Sequence, residues 1–267
     1  MELKFEHQSF GKKLKSMLSV DFRRMFTMPL LYIMMGIALV IPILVLVMTT
    51  MMDGSVSVDP TTGVETVIQG FDNVWQSIAS TSAVGASMSM DMVSMCNINL
   101  LYFLAAVLVC MFVADDFRSG YAKNLFTVRA GKTDYVISKT LVGFVGGVLM
   151  IAADFVGALV GGAISGLSFD LGTAGVNGAV MCMISKALLM AVFIPIFVLA
   201  SVVGKQKLWV SMVVSFGVSM LLIMMVPMLT PLDSTIMNVI LCLVGGVLFS
   251  IGLGAVSKNI LGKTSLV

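Results

Sequence analysis

Six apolar stretches, each 21–26 residues long and separated by polar segments, constrain this chain more than any other feature. They run at roughly 30–50, 93–114, 140–165, 179–203, 209–229 and 235–256. A helix of about 20 residues crosses the hydrocarbon core of a bilayer, so each stretch has the length of a transmembrane helix. The chain is 58% hydrophobic and 11% charged, with a mean hydropathy of +1.05. A water-soluble domain carries about twice that share of charge, so lipid is the solvent for most of this sequence.

Charge decides the orientation. With the N-terminus inside, the inner segments hold fifteen of the sixteen Lys and Arg residues, and Lys186 lies within a span. The outer loops hold none. This asymmetry is the positive-inside pattern and predicts six spans with both termini cytoplasmic. The expected fold is therefore an all-α integral membrane protein. Residues 1–28 form a cytoplasmic amphipathic helix, 29–257 the six-helix membrane domain and 258–267 a cytoplasmic tail. In the first segment Phe10, Leu14, Met17, Leu18, Phe22 and Met25 recur at helical spacing beside Lys12, Lys13, Lys15, Arg23 and Arg24, which suits a helix on the membrane surface. Pro42 predicts a kink in the first span. The outer loop 51–92 carries Asp53, Asp59, Glu65, Asp72 and Asp91 without a basic residue. Asp59-Pro60 and Gly63 mark turns there, and Phe71 to Met95 has helical character.

The sequence excludes several chemistries. Its one histidine, His7, precedes the spans, so no imidazole serves a serine nucleophile or a zinc ion inside the membrane. Gly85-Ala86-Ser87 has no accompanying base. Gly131-Lys132-Thr133 and Gly262-Lys263-Thr264 resemble the end of a phosphate loop, but the required earlier glycine is Phe126 in one and Ser257 in the other. The chain itself is expected to be no ATPase and no other enzyme, and to hold no metal or cofactor. The four cysteines, Cys96, Cys110, Cys182 and Cys242, lie in or beside apolar stretches without metal spacing. They read as small apolar residues, with a Cys96–Cys182 disulfide near the outer face as the alternative.

Two features remain for function. Asp154 and Lys186 are charges within adjacent antiparallel spans at similar depth, which predicts an intramembrane charge pair, either structural or facing a translocation path, with Lys186 snorkelling to the outer surface as the alternative. Gly143-x-x-x-Gly147 and Gly157-x-x-x-Gly161 in the third span fit close helix packing. The second feature is the polar island Asp115–Lys139, 25 residues between two spans and holding Arg118, Lys123, Arg129, Lys132 and Lys139. Phe117, Tyr121, Leu125 and Val128 form one face of a short helix in it, as a helix docking into a partner's groove requires.

In this island the chain resembles the permease subunits of ABC-2 type exporters. The matching residues are Asp116, Gly120, Leu125 and Phe126, the basic turn Arg129 to Lys132, then Tyr135 and Lys139. The resemblance implies a type V exporter-like permease with a coupling helix in segment 115–139. The residues it assigns to ATPase coupling are Asp115, Asp116, Phe117, Gly120, Tyr121, Asn124, Leu125 and Arg129. It implies separate ABC ATPase subunits that bind ATP and magnesium, a second permease chain (a homodimer or homologous heterodimer), and no nucleic acid. The expected cargo is hydrophobic or amphipathic, a peptide, lipid or drug, moved outward across a bacterial cytoplasmic membrane. Size and the long first outer loop are similar to permeases for antimicrobial peptides, including lantibiotic systems. The alternatives are an ATP-independent secondary transporter using Asp154 and Lys186, and a non-transporting membrane sensor or assembly subunit.

Overall fold

A computed structural model describes residues 10–58, 65–67, 70–79, 100–128, 131–172, 174–205, 207–222 and 225–263. Ten helices are seen among them. These are α1 (Phe10–Thr27), α2 (Pro29–Met52), α3 (Val74–Ala79), α4 (Leu100–Arg118), α5 (Tyr121–Val128), α6 (Lys132–Ser165), α7 (Gly175–Gly204), α8 (Leu208–Leu222), α9 (Val226–Leu229) and α10 (Ile236–Lys263). Five of them, α2, α4, α6, α7 and α10, are long and apolar enough to cross a membrane, and the chain is a multi-pass membrane protein. The expected fifth span is α8, with 15 residues or about 22 Å, followed by the four-residue α9. By length alone α8 does not reach across a ~30 Å hydrocarbon core. The second span begins at Leu100 in the described residues, since 80–99 lie outside them.

The helices sort by burial. The sides of α4, α6 and α7 that meet carry the core, including Leu101, Tyr102, Val109, Met150, Phe193 and Phe197. Along α6 runs α2, and along α7 runs α10, while α8 fills the angle between α7 and α4. The outward sides of α2 and α10 expose large apolar residues such as Ile33, Leu44, Met48, Leu248 and Ile251. In water that arrangement would be unstable, whereas against lipid tails it carries no penalty.

Glycine sets how closely α2 and α6 approach. A Cβ at Gly157 would run into the carbonyl oxygen of Leu39 and Cγ of Pro42, and one at Gly161 would meet Cα of Ile43 at 2.8 Å. Thus Gly157-x-x-x-Gly161 receives the backbone of α2 at its internal proline. Gly143 takes part in another contact, where a Cβ would press on Ile194 of α7 at 2.9 Å.

Each end of the bundle has its own character. At one end lie α1, the turn into α5, the start of α6 and the ends of α7 and α10. The described charges in the loops of the opposite end are Asp53, Asp72, Asp170 and Asp233. This acidic end is partly ordered by backbone pairing. Val56–Val58 and Glu65–Val67 form a two-stranded antiparallel ladder with Val56 opposite Val67, a small addition to the all-helical expectation. Asp53 accepts a hydrogen bond from the Gly70 amide at 2.8 Å. The amide of Val74 donates to the Ser168 carbonyl, and the indole of Trp75 donates to the Phe169 carbonyl at 3.0 Å. The loops after α2 and after α6 are therefore tied together. Only Val74–Ala79 of the expected Phe71–Met95 helix is described. Asp59, Pro60, Gly63, Gly85, Ala86, Ser87, Asp91 and Cys96 lie outside the described residues, as does His7.

Candidate functional site

The polar island folds as two helices rather than as a loop with one. Ser119 and Gly120 make the turn between α4 and α5, and Gly120 has φ +74°. A left-handed backbone of this kind suits glycine, because other residues bring Cβ against the following carbonyl. The next helix starts at Lys132, eight residues before the expected span, so Tyr135, Ser138 and Lys139 sit near its start. Asp134, at the third position of α6, accepts from the Gly131 amide at 3.3 Å, a carboxylate placed where it complements the helix N-terminus.

These elements converge on a buried ion network. The Asp116 carboxylate at the end of α4 accepts from Arg24 Nη1 at 2.6 Å, from the Tyr135 hydroxyl at 2.9 Å and from Lys139 Nζ at 2.7 Å. The same ammonium donates to Asp21 Oδ1 at 2.9 Å, and Ser138 Oγ donates to Asp21 Oδ2 at 2.7 Å. Asp21, Asp116 and Lys139 have no side-chain exposure. Two carboxylates face two cations, so the buried charge sums to zero and the oxygens have several donors, the conditions under which burial of ions is tolerated. Aromatic rings enclose the cations. Arg24 lies over the Tyr121 ring at 4.3 Å, and Lys139 over Phe112 at 3.9 Å. Burial works to lower the Arg24 pKa, but the charge and hydrogen bond of Asp116, with Asp21 behind it, leave it raised. The Tyr121 hydroxyl is pushed up by burial and then by the Asp21 charge.

This network joins α1, α4 and α6, and α5 is held against it by rings. Phe126 meets Tyr135 edge-on at 5.3 Å, Tyr121 lies under Arg24, and Ala122 is buried. The expected docking face therefore turns inward. Phe117 is part of the core, while Leu125 and Phe126 are partly buried against it, because the apolar stripe of an amphipathic helix is satisfied by its own bundle before any partner arrives. The outward face of α5 is Lys123, Asn124 and Thr127, flanked by Asp115, Arg118 and Ser119. Of the residues assigned to coupling, Asp115 and Asn124 are exposed, Tyr121 and Leu125 half-buried, and Asp116 and Phe117 buried. Gly120 forms the turn, and Arg129 lies outside the described residues.

Sequence reading missed the role of Asp21. It sits midway between Met17 and Met25, which are buried on the same stripe of α1. An acidic residue in the middle of an apolar stripe was the available signal. Its consequence is that α1 packs into the bundle against α6, not merely onto a surface.

Asp154 and Lys186 are both buried in the bundle interior, but no ion pair joins them. Lys186 Nζ instead donates to Thr230 Oγ1 at 3.1 Å. The direct pair expected from depth fails for a geometric reason. Each residue is eleven positions from the acidic end of its helix, α6 ending at Ser165 and α7 starting at Gly175. Cα–Cβ bonds tilt toward each helix's own N-terminus. In antiparallel neighbours the two side chains consequently lean apart, Asp154 toward the basic end and Lys186 toward the acidic end. Cys182 is a free, buried thiol whose Sγ approaches the Thr230 carbonyl oxygen at 3.5 Å, so the disulfide alternative does not hold.

Residues 22–221, or 200 of the 267, match the family model described as ABC-2 family transporter protein. No curated protein and no solved structure matches the chain.

Proposed function

The chain belongs to the ABC-2 family of transporter proteins, and on that premise we propose that it is the permease half of an ATP-driven exporter. Its energy comes from a separate ATPase subunit docking at the basic end. The observation that carries this reading is the clasp of α5. A short helix with a polar outward face rests, by Tyr121 under Arg24 and Phe126 against Tyr135, on the ion network that joins α1, α4 and α6 through Asp116. A push on α5 is thereby delivered to the ends of two long membrane helices instead of being lost in a loop. Asp115, Asn124 and Lys123 are the residues that meet the ATPase, while Asp116, Phe117 and Tyr121 transmit the push and Gly120 allows the turn. Arg129 belongs to the basic stretch of sequence that follows.

The basic end is cytoplasmic, in keeping with the charge asymmetry, and α8 with α9 completes a sixth crossing. ATP and magnesium stay on the ATPase. Two permease chains, identical or homologous, supply the cargo path, and the exposed apolar sides of α2, α8 and α10 suit a hydrophobic or amphipathic cargo such as an antimicrobial peptide, moved outward. Asp154 and Lys186, on which an ion-coupled carrier would depend, are sealed inside the bundle, which supports the ATP-driven reading over that one. The test is purification of the tagged chain with an ATP-binding-cassette ATPase and measurement of ATP hydrolysis in proteoliposomes. An ATPase whose turnover rises on assembly with this chain is the expected result; purification of the chain without any ATPase would overturn it.

A further inference from the structure

Lys186 holds more than its own charge. Its ammonium is fully buried, and its hydrogen-bond partner among the described residues is an uncharged hydroxyl, Thr230 Oγ1. That hydroxyl donates its own proton to the Val226 carbonyl at 2.8 Å, leaving lone pairs for the lysine. Thr230 ends the short α9, and the same segment is held by Cys182 Sγ at the Thr230 carbonyl and by Asn238 Nδ2 at the Leu229 carbonyl, 3.2 Å away. All of these contacts tie the connection between α8 and α10 down onto α7 and α10 at the acidic end. An ammonium has three protons to donate, and a lone cation at membrane depth costs about 2.5–3.5 kcal/mol or more. A single hydroxyl compensates poorly for that.

The better partner is close by. The Asp154 carboxylate is buried on the adjoining helix at the same eleven-residue depth from the acidic end as Lys186, without an ion pair between them. Tyr102, from α4, is also buried, and its hydroxyl has no hydrogen-bond partner among the described residues. A lysine side chain has four rotatable bonds, which let its ammonium reorient from the acidic end of the bundle toward the neighbouring helix. We propose that Lys186 is a two-position latch. In this structure it holds the α9 turn at Thr230. When that turn withdraws, the ammonium swings to Asp154, so its charge stays compensated while the acidic end of the bundle opens. The swing keeps the ammonium partnered in both arrangements, by the Thr230 hydroxyl when the end is closed and by Asp154 when it is open. The latch goes beyond the transport reading and rests on it only for the purpose of the opening.

Cys182 is the natural reporter, since withdrawal of Thr230 uncovers its thiol. The experiment uses the full chain in detergent with Cys96, Cys110 and Cys242 replaced by alanine, and follows modification of Cys182 by N-ethylmaleimide. Thr230→Val is expected to raise the labelling rate about tenfold, as for a locally opened segment, while Thr230→Ser keeps the parent rate. Lys186→Met removes the latch from the other side and is expected to raise labelling in the same way. Thermal unfolding then reads the swing. Asp154→Asn should destabilise the Thr230→Val protein more than the parent, because Asp154 has become the lysine's partner. Unchanged labelling in both Thr230→Val and Lys186→Met, or additive effects of Thr230→Val and Asp154→Asn, would overturn the latch. Neither readout involves ATP or cargo, so that outcome leaves the transport reading standing.

Discussion

Lys139 shows how one side chain can decide whether a helix junction holds. It is shared between Asp21 and Asp116, so Lys139→Met would take a cation from two buried carboxylates at once. Breaking a buried pair from one side costs about 3–5 kcal/mol, and thermal unfolding in detergent should show a loss of that order. Adding Asp21→Asn to Lys139→Met should cost less than the sum of the single changes, since the first substitution has already ended their interaction. Strict additivity would mean that the two residues do not share a contact in solution. Asp116 follows the same logic. Its reversal to lysine would place three cations in one buried site, and instability should precede any effect on transport. Gly120 is different, because nothing lies within 4 Å of where its Cβ would stand. Only its left-handed φ matters, at a cost of about 1–2 kcal/mol for most residues. Gly120→Asn, a residue that tolerates this region, should therefore unfold close to the parent temperature, whereas Gly120→Val should not. Equal losses in both would indicate a steric role instead.

Helices were the legible part of the sequence, and their faces were not. The apolar lengths located α2, α6, α7 and α10 because a membrane demands about 20 consecutive apolar residues whatever the tertiary context. The start of α6 was hidden because Lys132, Thr133 and Asp134 look like loop, although an acidic residue at the third position favours a helix start. The inward turn of α5 was hidden too, since an apolar stripe says that something covers it but not which surface does. Depth placed Asp154 and Lys186 together, while side-chain tilt separates them. The Gly157 and Gly161 spacing was weak as a pattern and acquires weight from what lies opposite. At that crossing the α2 backbone touches α6 directly, and overpacking costs about 1–3 kcal/mol. Gly157→Val should lower the unfolding temperature markedly, while a valine at Gly36, with open space around it, should not. A comparable loss at both sites would remove the argument that Gly157 seats α2.

The whole molecule is a lever as much as a bundle. The 34 residues of α6 form a continuous helix about 51 Å long. Its start carries Tyr135, Ser138 and Lys139 in the ion network, and its second half carries Asp154 and the glycines under α2. Displacement of the network end therefore moves the surface on which α2 rides, and reaches the neighbourhood of Lys186 without crossing a loop. For this lever to be driven from outside, the driving subunit must grip α5 on the face that its own bundle leaves open. Lys123 and Thr127 lie one helical turn apart on that face, and both side chains are exposed. Replacing both with glutamate should leave the stability of the isolated chain within about 1 kcal/mol of the parent, as for surface changes in general. The same variant should lose co-purification with the ATPase and the stimulation of its turnover. Leu125→Ala should behave in the opposite way, lowering stability because this side chain packs on the core. If the double glutamate variant still assembled and stimulated ATP hydrolysis fully, the grip would have to lie elsewhere on the basic end, and α5 would be a brace between α4 and α6 instead of the point where force arrives.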